Sequence, residues 1–189
     1  MTKKGAQDMA CRPTEAEMKR FFLVTVLVML AFVGCRYERP LTGEQSLPVD
    51  PAVLGVWEPF PGEGEERVED ERMVILAYTD TDYLIHYPAK NDEMYYRGYP
   101  IEVGGVSCVQ VQVIGTDKGP LERDQRQRFH VVSYALSDGV LEVRTLNTDL
   151  VKEGLKTPES LREAFLRHKE DENLFVHPAR FRRSRGRDG

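Results

Sequence analysis

Between residues 72 and 146 the chain reads mostly as β-strands, and that signal decides what it can fold into. Over 106–114, Val109, Val111 and Val113 alternate with Cys108, Gln110 and Gln112. Successive side chains of a strand point to opposite faces, so the three valines share one side. Strand-like runs also occupy 53–57, 72–78 (RMVILAY), 82–87 (DYLIHY), 93–103 (EMYYRGYPIEV), 127–136 (QRFHVVSYAL) and 140–146 (VLEVRTL). Turn residues separate them: Thr79-Asp80-Thr81, Gly104-Gly105 and Ser137-Asp138-Gly139. Short strands with Gly and Asp turns predict an antiparallel meander. Pro100 inside its run predicts a sheet edge or a bulge, because proline cannot donate to a ladder. One helix breaks the series. Thr157 supplies a capping hydroxyl, Pro158 the first position and Glu159 an acid in the first turn. Leu161, Ala164, Phe165 and His168 then fall on one face. A last short strand is expected over 179–183, after Pro178.

The amino-terminal part has a different logic. Residues 18–35 read MKRFFLVTVLVMLAFVGC. Lys19 and Arg20 precede an apolar stretch over 21–33, shorter than the roughly 20 residues a spanning helix needs. The ending Phe32-Val33-Gly34-Cys35 resembles the lipobox of bacterial lipoproteins, with Phe32 where that group prefers leucine. The resemblance implies a signal peptide over 18–34, cleavage after Gly34 and acylation of Cys35. The chain would then be held on a membrane of a bacterial cell envelope. An uncleaved anchor helix is the alternative. Residues 1–17 are polar and contain Pro13, so they read as a disordered extension or as sequence upstream of a start at Met18. Residues 36–50 are polar, with Pro40 and Pro48, which is tether composition. The folded domain is expected over 51–183, with 184–189 as a frayed tail.

From Cys35 onward the chain suffices for one domain with one core. The net charge is −5, so nothing in the electrostatics favours nucleic acid. Beyond Cys11 and Cys35 only Cys108 remains, which permits no internal disulfide and reads as a small buried hydrophobe.

The order of elements, with Gly55-Val56-Trp57 on the first strand, resembles the lipocalins and the wider calycin barrels. The resemblance spans about 51–183 and rests on a three-residue motif. It implies a mainly β fold: an antiparallel meander closing as a barrel, with one helix before the last strand. It also implies that Trp57, beside Gly55, closes one end while Arg182 or Arg183 packs across its ring. A guanidinium stacks well on an indole face.

Candidate chemistry is sparse. G-x-S-x-G, P-loop, H-E-x-x-H and C-x-x-C motifs are absent from the sequence. His86, His130, His168 and His177 lie far apart, without metal-ligand spacing. A Cys108–His130 thiolate pair lacks an activating third group. Asp80 and Asp82 flank a turn residue, as in Ca²⁺ loops, but the glycine and distal glutamate of such loops are missing. The acidic stretch over 63–72 reads as a solvated loop or, alternatively, as a docking site for a cationic partner. The expectation is therefore no catalysis, no metal and no cofactor. The aromatics Tyr83, Tyr87, Tyr95, Tyr96, Tyr99, Phe129 and Tyr134 either fill the barrel or line a pocket in it. An eight-stranded barrel is just wide enough for side chains or for one small ligand. Tyr83, Ile85 and Tyr87, with Val109, Val111 and Val113, are the candidate lining of a site of a few hundred Å³ for a small apolar or amphipathic molecule. The competing expectation is a filled barrel whose surface docks an envelope protein.

Overall fold

The structure is a computed structural model, and the residues described are 37–60, 72–89, 92–122 and 128–184. The expected signal segment over 18–34, Cys35 and the acidic stretch over 63–71 lie outside them. In chain order the elements are β1 (Gly55–Pro59), β2 (Met73–Ala77), β3 (Tyr83–Ala89), β4 (Asp92–Val103), β5 (Val106–Thr116), β6 (Gly119–Pro120), β7 (Phe129–Ser137), β8 (Val140–Leu146), helix α1 (Pro158–Arg167) and β9 (Phe175–Arg183). A 3-10 turn over Pro51–Val53 precedes β1.

Every strand pairs antiparallel with its neighbours, in the order β4-β3-β2-β1-β9-β8-β7-β5, and β4 also pairs with β5. That last pairing closes eight strands into a barrel, consistent with the lipocalin-like architecture; β6 adds two residues to the side of β5. Closure leaves no long unpaired edge among the described strands. Antiparallel order also sorts the ends. β1, β3, β5 and β8 finish at one end, here the far end, where β2, β4, β7 and β9 begin. The 3-10 turn feeds β1 at the opposite end.

Local chemistry sets the turns and the helix. Asp138 and Gly139 both take positive φ, 53° and 76°, as a two-residue hairpin loop between twisted strands requires. In α1 the Thr157 hydroxyl accepts from the Ser160 N–H at 3.1 Å, and Ser160 caps back. Pro100 lies within β4. The β3 ladder stops at the pair Tyr83↔Gly98, so at Pro100 that flank of β4 is a local edge and a missing N–H costs nothing there.

The barrel wall separates two cores. Inside, Trp57, Ile75, Tyr83, Tyr96, Val109, Leu141 and Phe181 pack together. Outside, Leu161, Ala164 and Phe165 of α1 cover Ile101, Val103, Cys108 and Val131, with Tyr37 and Leu41 joining them. Strands β4, β5 and β7 therefore carry apolar side chains on both faces.

Four expectations need correction. Residues 36–50 do not form a free tether throughout: Tyr37 is 1% exposed, and its backbone exchanges two 2.8 Å hydrogen bonds with Phe129. Their polar composition hid two apolar side chains that complete the outer core. Tyr95, Tyr99 and Phe129 do not fill the barrel. A register shift between Tyr95 and Tyr96 and plain alternation send them outward. The last strand begins at Phe175 rather than after Pro178. An irregularity opposite Val143 and Thr145, with His177 at φ 55°, absorbs the proline. Finally, Ser184 belongs to the sheet's hydrogen bonding: its N–H donates to Val56 O at 2.8 Å and its hydroxyl to Glu58 at 2.7 Å.

Candidate functional site

The closed end is built around Trp57, which is 0% exposed. Its Nε1 donates to Val53 O at 2.8 Å, tying the ring to the 3-10 turn. Arg183, cross-strand partner of Trp57, lays its guanidinium 4.8 Å from the ring centroid. Its Nη1 and Nη2 donate to Leu54 O at 2.9 Å and Ala52 O at 2.8 Å. One side chain thus clasps the indole face and the turn that feeds β1. Gly55 makes room for it. Gly55 has φ 133°, and a Cβ there would stand 2.8 Å from Arg183 Nη1. Arg182 points elsewhere, 3.8 Å from Glu58.

Above this plug lies a cavity of about 80 Å³ with apolar walls. Tyr83, Ile85 and Tyr87 of β3 and Val109 and Val111 of β5 line it. Val113, on the same face as the other valines, is buried in the inner core but is not on the cavity wall. The cavity is smaller than a few hundred Å³ because Tyr83, Tyr87, Tyr96 and Tyr134 all project into it. Wall residues that the sequence does not single out include Met73 and the alternating pair His130 and Val132 of β7. Period two in QRFHVVSYAL carried that second signal, since His130, Val132 and Tyr134 share a face.

Polar atoms gather at one side of this space. The Asp50 N–H donates to the Tyr83 hydroxyl at 2.6 Å, and the Tyr134 hydroxyl donates to Asp50 Oδ2 at 3.1 Å. Asp50 Oδ1 accepts from Ala52 N at 2.8 Å, capping the 3-10 turn. The carboxylate is therefore committed to local bonds, and the cavity presents carbon.

The other sequence candidates are not assembled into sites. Cys108 belongs to the outer core, and burial pushes its thiol up to about 12, while His130 faces inward across the wall. They form no thiolate pair. Asp82 is buried, bonded to Arg97 at 2.9 Å and to Thr79 at 3.0 Å, so a guanidinium takes the place a cation would need. Among the described residues no group of three His, Cys, Asp or Glu side chains stands close enough to hold a metal ion.

Burial also holds the phenols protonated. Desolvation raises Tyr83 above its ordinary value despite hydrogen bonds from Asp50 and Tyr134, which pull it down. Desolvation raises Tyr134 further, helped by the charge of Asp50 and the coupling to Tyr83. Each group keeps its proton more tightly in the folded state than in the unfolded one. Their contribution to stability is thus complete below the ordinary tyrosine value of 10.0 and is lost as pH rises past it. Denaturant midpoints are expected to fall steeply above that pH, and Tyr134→Phe is expected to flatten the fall. An unchanged alkaline limb in the variant would contradict this account.

In comparisons with family models, curated proteins and solved structures, nothing matches this chain.

Proposed function

We propose that this chain is a lipid-anchored envelope protein that holds a small apolar molecule, or the apolar end of an amphipathic one, inside its barrel. The observation carrying the proposal is the apolar cavity over the Trp57 plug, lined by Tyr83, Ile85, Tyr87, Val109 and Val111. A small apolar void stays dry and gains contacts when a guest of matching size enters. At about 80 Å³ the space suits a short alkyl end, not a ring or a whole lipid. No catalytic group, cofactor or metal is needed for this role.

Native mass spectrometry of protein purified from its own membranes tests the reading. A co-purifying apolar molecule is the expected result. Val111→Phe, which fills the cavity from its wall, is expected to abolish it at a stability cost of about 1–3 kcal/mol. A guest retained by the folded variant would rule the cavity out as its site.

The anchor is part of the same proposal and rests on the lipobox resemblance at Cys35. Two acyl chains hold a protein on a bilayer where one is marginal. Intact-mass measurement of the mature N-terminus should show cleavage after Gly34 and a diacylated Cys35, and Cys35→Ala should move the protein out of the membrane fraction. A mature chain still carrying residues 21–33 would sink the anchor.

A second reading, a filled barrel that docks an envelope protein, is favoured by the outer face of β1 and β2, where Val56 and Leu76 are exposed and Tyr78 follows. A barrel that yields no guest by mass spectrometry, while capturing a partner through that face, would establish it.

A further inference from the structure

Residues 43–48 are exposed and form a thin span between two fixed points. On one side the Leu41 N–H donates to Gln110 Oε1 at 2.6 Å. On the other, Arg183 holds Ala52 O and Leu54 O, and Trp57 Nε1 holds Val53 O. Between them Arg97 Nη2 donates to Gln45 Oε1 at 3.1 Å, and the Val49 N–H donates to Asp80 O at 2.9 Å. Asp50 makes the remaining attachment, to the hydroxyls of Tyr83 and Tyr134. Segments with so little buried apolar surface are the ones that open locally at least cost.

Asp50 also ties this span to the cavity. Tyr83 and Tyr134 line the cavity with their rings and meet Asp50 with their hydroxyls, and Val53 lines the same space three residues further on. Lifting the span takes the acceptor from the Tyr134 hydroxyl and a donor from the hydroxyl of Tyr83, a residue only 2% exposed. Buried hydroxyls that lose their partners draw in water to replace them. Water at that side of an apolar space works against an apolar guest. A guest therefore binds the closed span more tightly than the open one.

We propose that occupancy of the cavity and closure of residues 43–50 are coupled, with Asp50 as the positioning residue that joins them. The proposal rests on the cavity reading given above and adds a second element that the guest controls. Such coupling is reciprocal. A guest holds the span against the wall, and anything that pulls the span away weakens the hold on the guest. A ligand shifts such an equilibrium only by its differential affinity for the two states. The plug stays out of the motion, because residues 52–54 keep their bonds to Arg183 and Trp57.

Xenon is the probe, since it makes no hydrogen bonds and enters dry apolar cavities. Full-length protein in solution is equilibrated under xenon pressure. Methyl shifts of Ile85, Val109 and Val111 report occupancy, and amide exchange at Val49 and Asp50 reports closure. Exchange at those two amides should slow by a factor of about one plus the ratio of free xenon to its Kd, with the Kd taken from the methyl shifts. The Leu41 amide, held on the outer side by Gln110, should keep its rate. The double variant Tyr83→Phe, Tyr134→Phe keeps both rings and cuts both ties, so the methyl shifts should persist while Val49 no longer responds. The comparison of Val49 and Asp50 with Leu41 in the unaltered protein decides the question without any variant. Methyl shifts with no change at Val49 and Asp50, equal slowing at Leu41, or a Val49 response that survives the double variant would overturn the coupling alone. Methyls that ignore xenon would overturn the cavity as a guest site, and the coupling with it.

Discussion

Replacing Trp57 by alanine will destabilise the barrel by about 3–5 kcal/mol, the range for truncating a large buried aromatic in a core that cannot fully collapse. The site explains why little relaxation is available. Trp57 sits between β2 and β9, paired to Met73 and Arg183, with the 3-10 turn bonded to its Nε1. Removing the indole empties the closed end, frees Val53 O and takes away the face on which the Arg183 guanidinium lies. Arg183 would keep its bonds to Ala52 O and Leu54 O. Urea titration followed by circular dichroism is the direct measurement, with Trp57→Phe as the comparison, since it retains most of the apolar volume while losing the N–H and part of the ring. A cost under about 1 kcal/mol for Trp57→Ala would mean that the plug is not part of the cooperative core.

Gln110→Ala is expected to cost about 2–4 kcal/mol, because it strands buried partners rather than removing apolar bulk. Gln110 is 0% exposed on the outer side of β5. Its Oε1 accepts from Leu41 N at 2.6 Å and Thr42 N at 3.4 Å, while Nε2 donates to Thr42 O at 3.4 Å and to the Tyr99 hydroxyl. One amide thus satisfies the backbone of the segment that crosses the wall between Tyr37 and the 3-10 turn. Hydrogen exchange would separate two accounts. Loss of protection at Leu41 and Thr42, with the barrel amides unchanged, is the expected pattern. Uniform loss across β5 and β7 would show instead that Gln110 acts on the barrel itself.

Much of the barrel could be read from sequence because its inner face obeys period two. Val109 and Val111, like Tyr83, Ile85 and Tyr87, alternate cleanly and do line the cavity. Hairpins at Gly104-Gly105 and Asp138-Gly139 carry their own local chemistry, and α1 announces its start through Thr157 and Pro158. The outer core was hidden for a physical reason. Gln110 looks solvent-facing until α1 and residues 37–41 are laid over that side of β5, and those covers come from segments far away in the chain. Nothing local marks Gln110 as buried: its burial is worthwhile only because distant backbone groups need its amide. The cavity's size was equally out of reach, since it depends on how far four tyrosine rings extend into a shared space.

The two-sided burial of the wall also predicts how the barrel yields. Strands β4, β5 and β7 are clamped between an inner and an outer core, whereas Val56 of β1 and Leu76 of β2 stand uncovered on the outside. Local opening requires least free energy where fewest apolar contacts must separate. The β1–β2 flank is therefore the compliant panel of an otherwise stiff cylinder, and its amides should exchange with solvent sooner than those of β5.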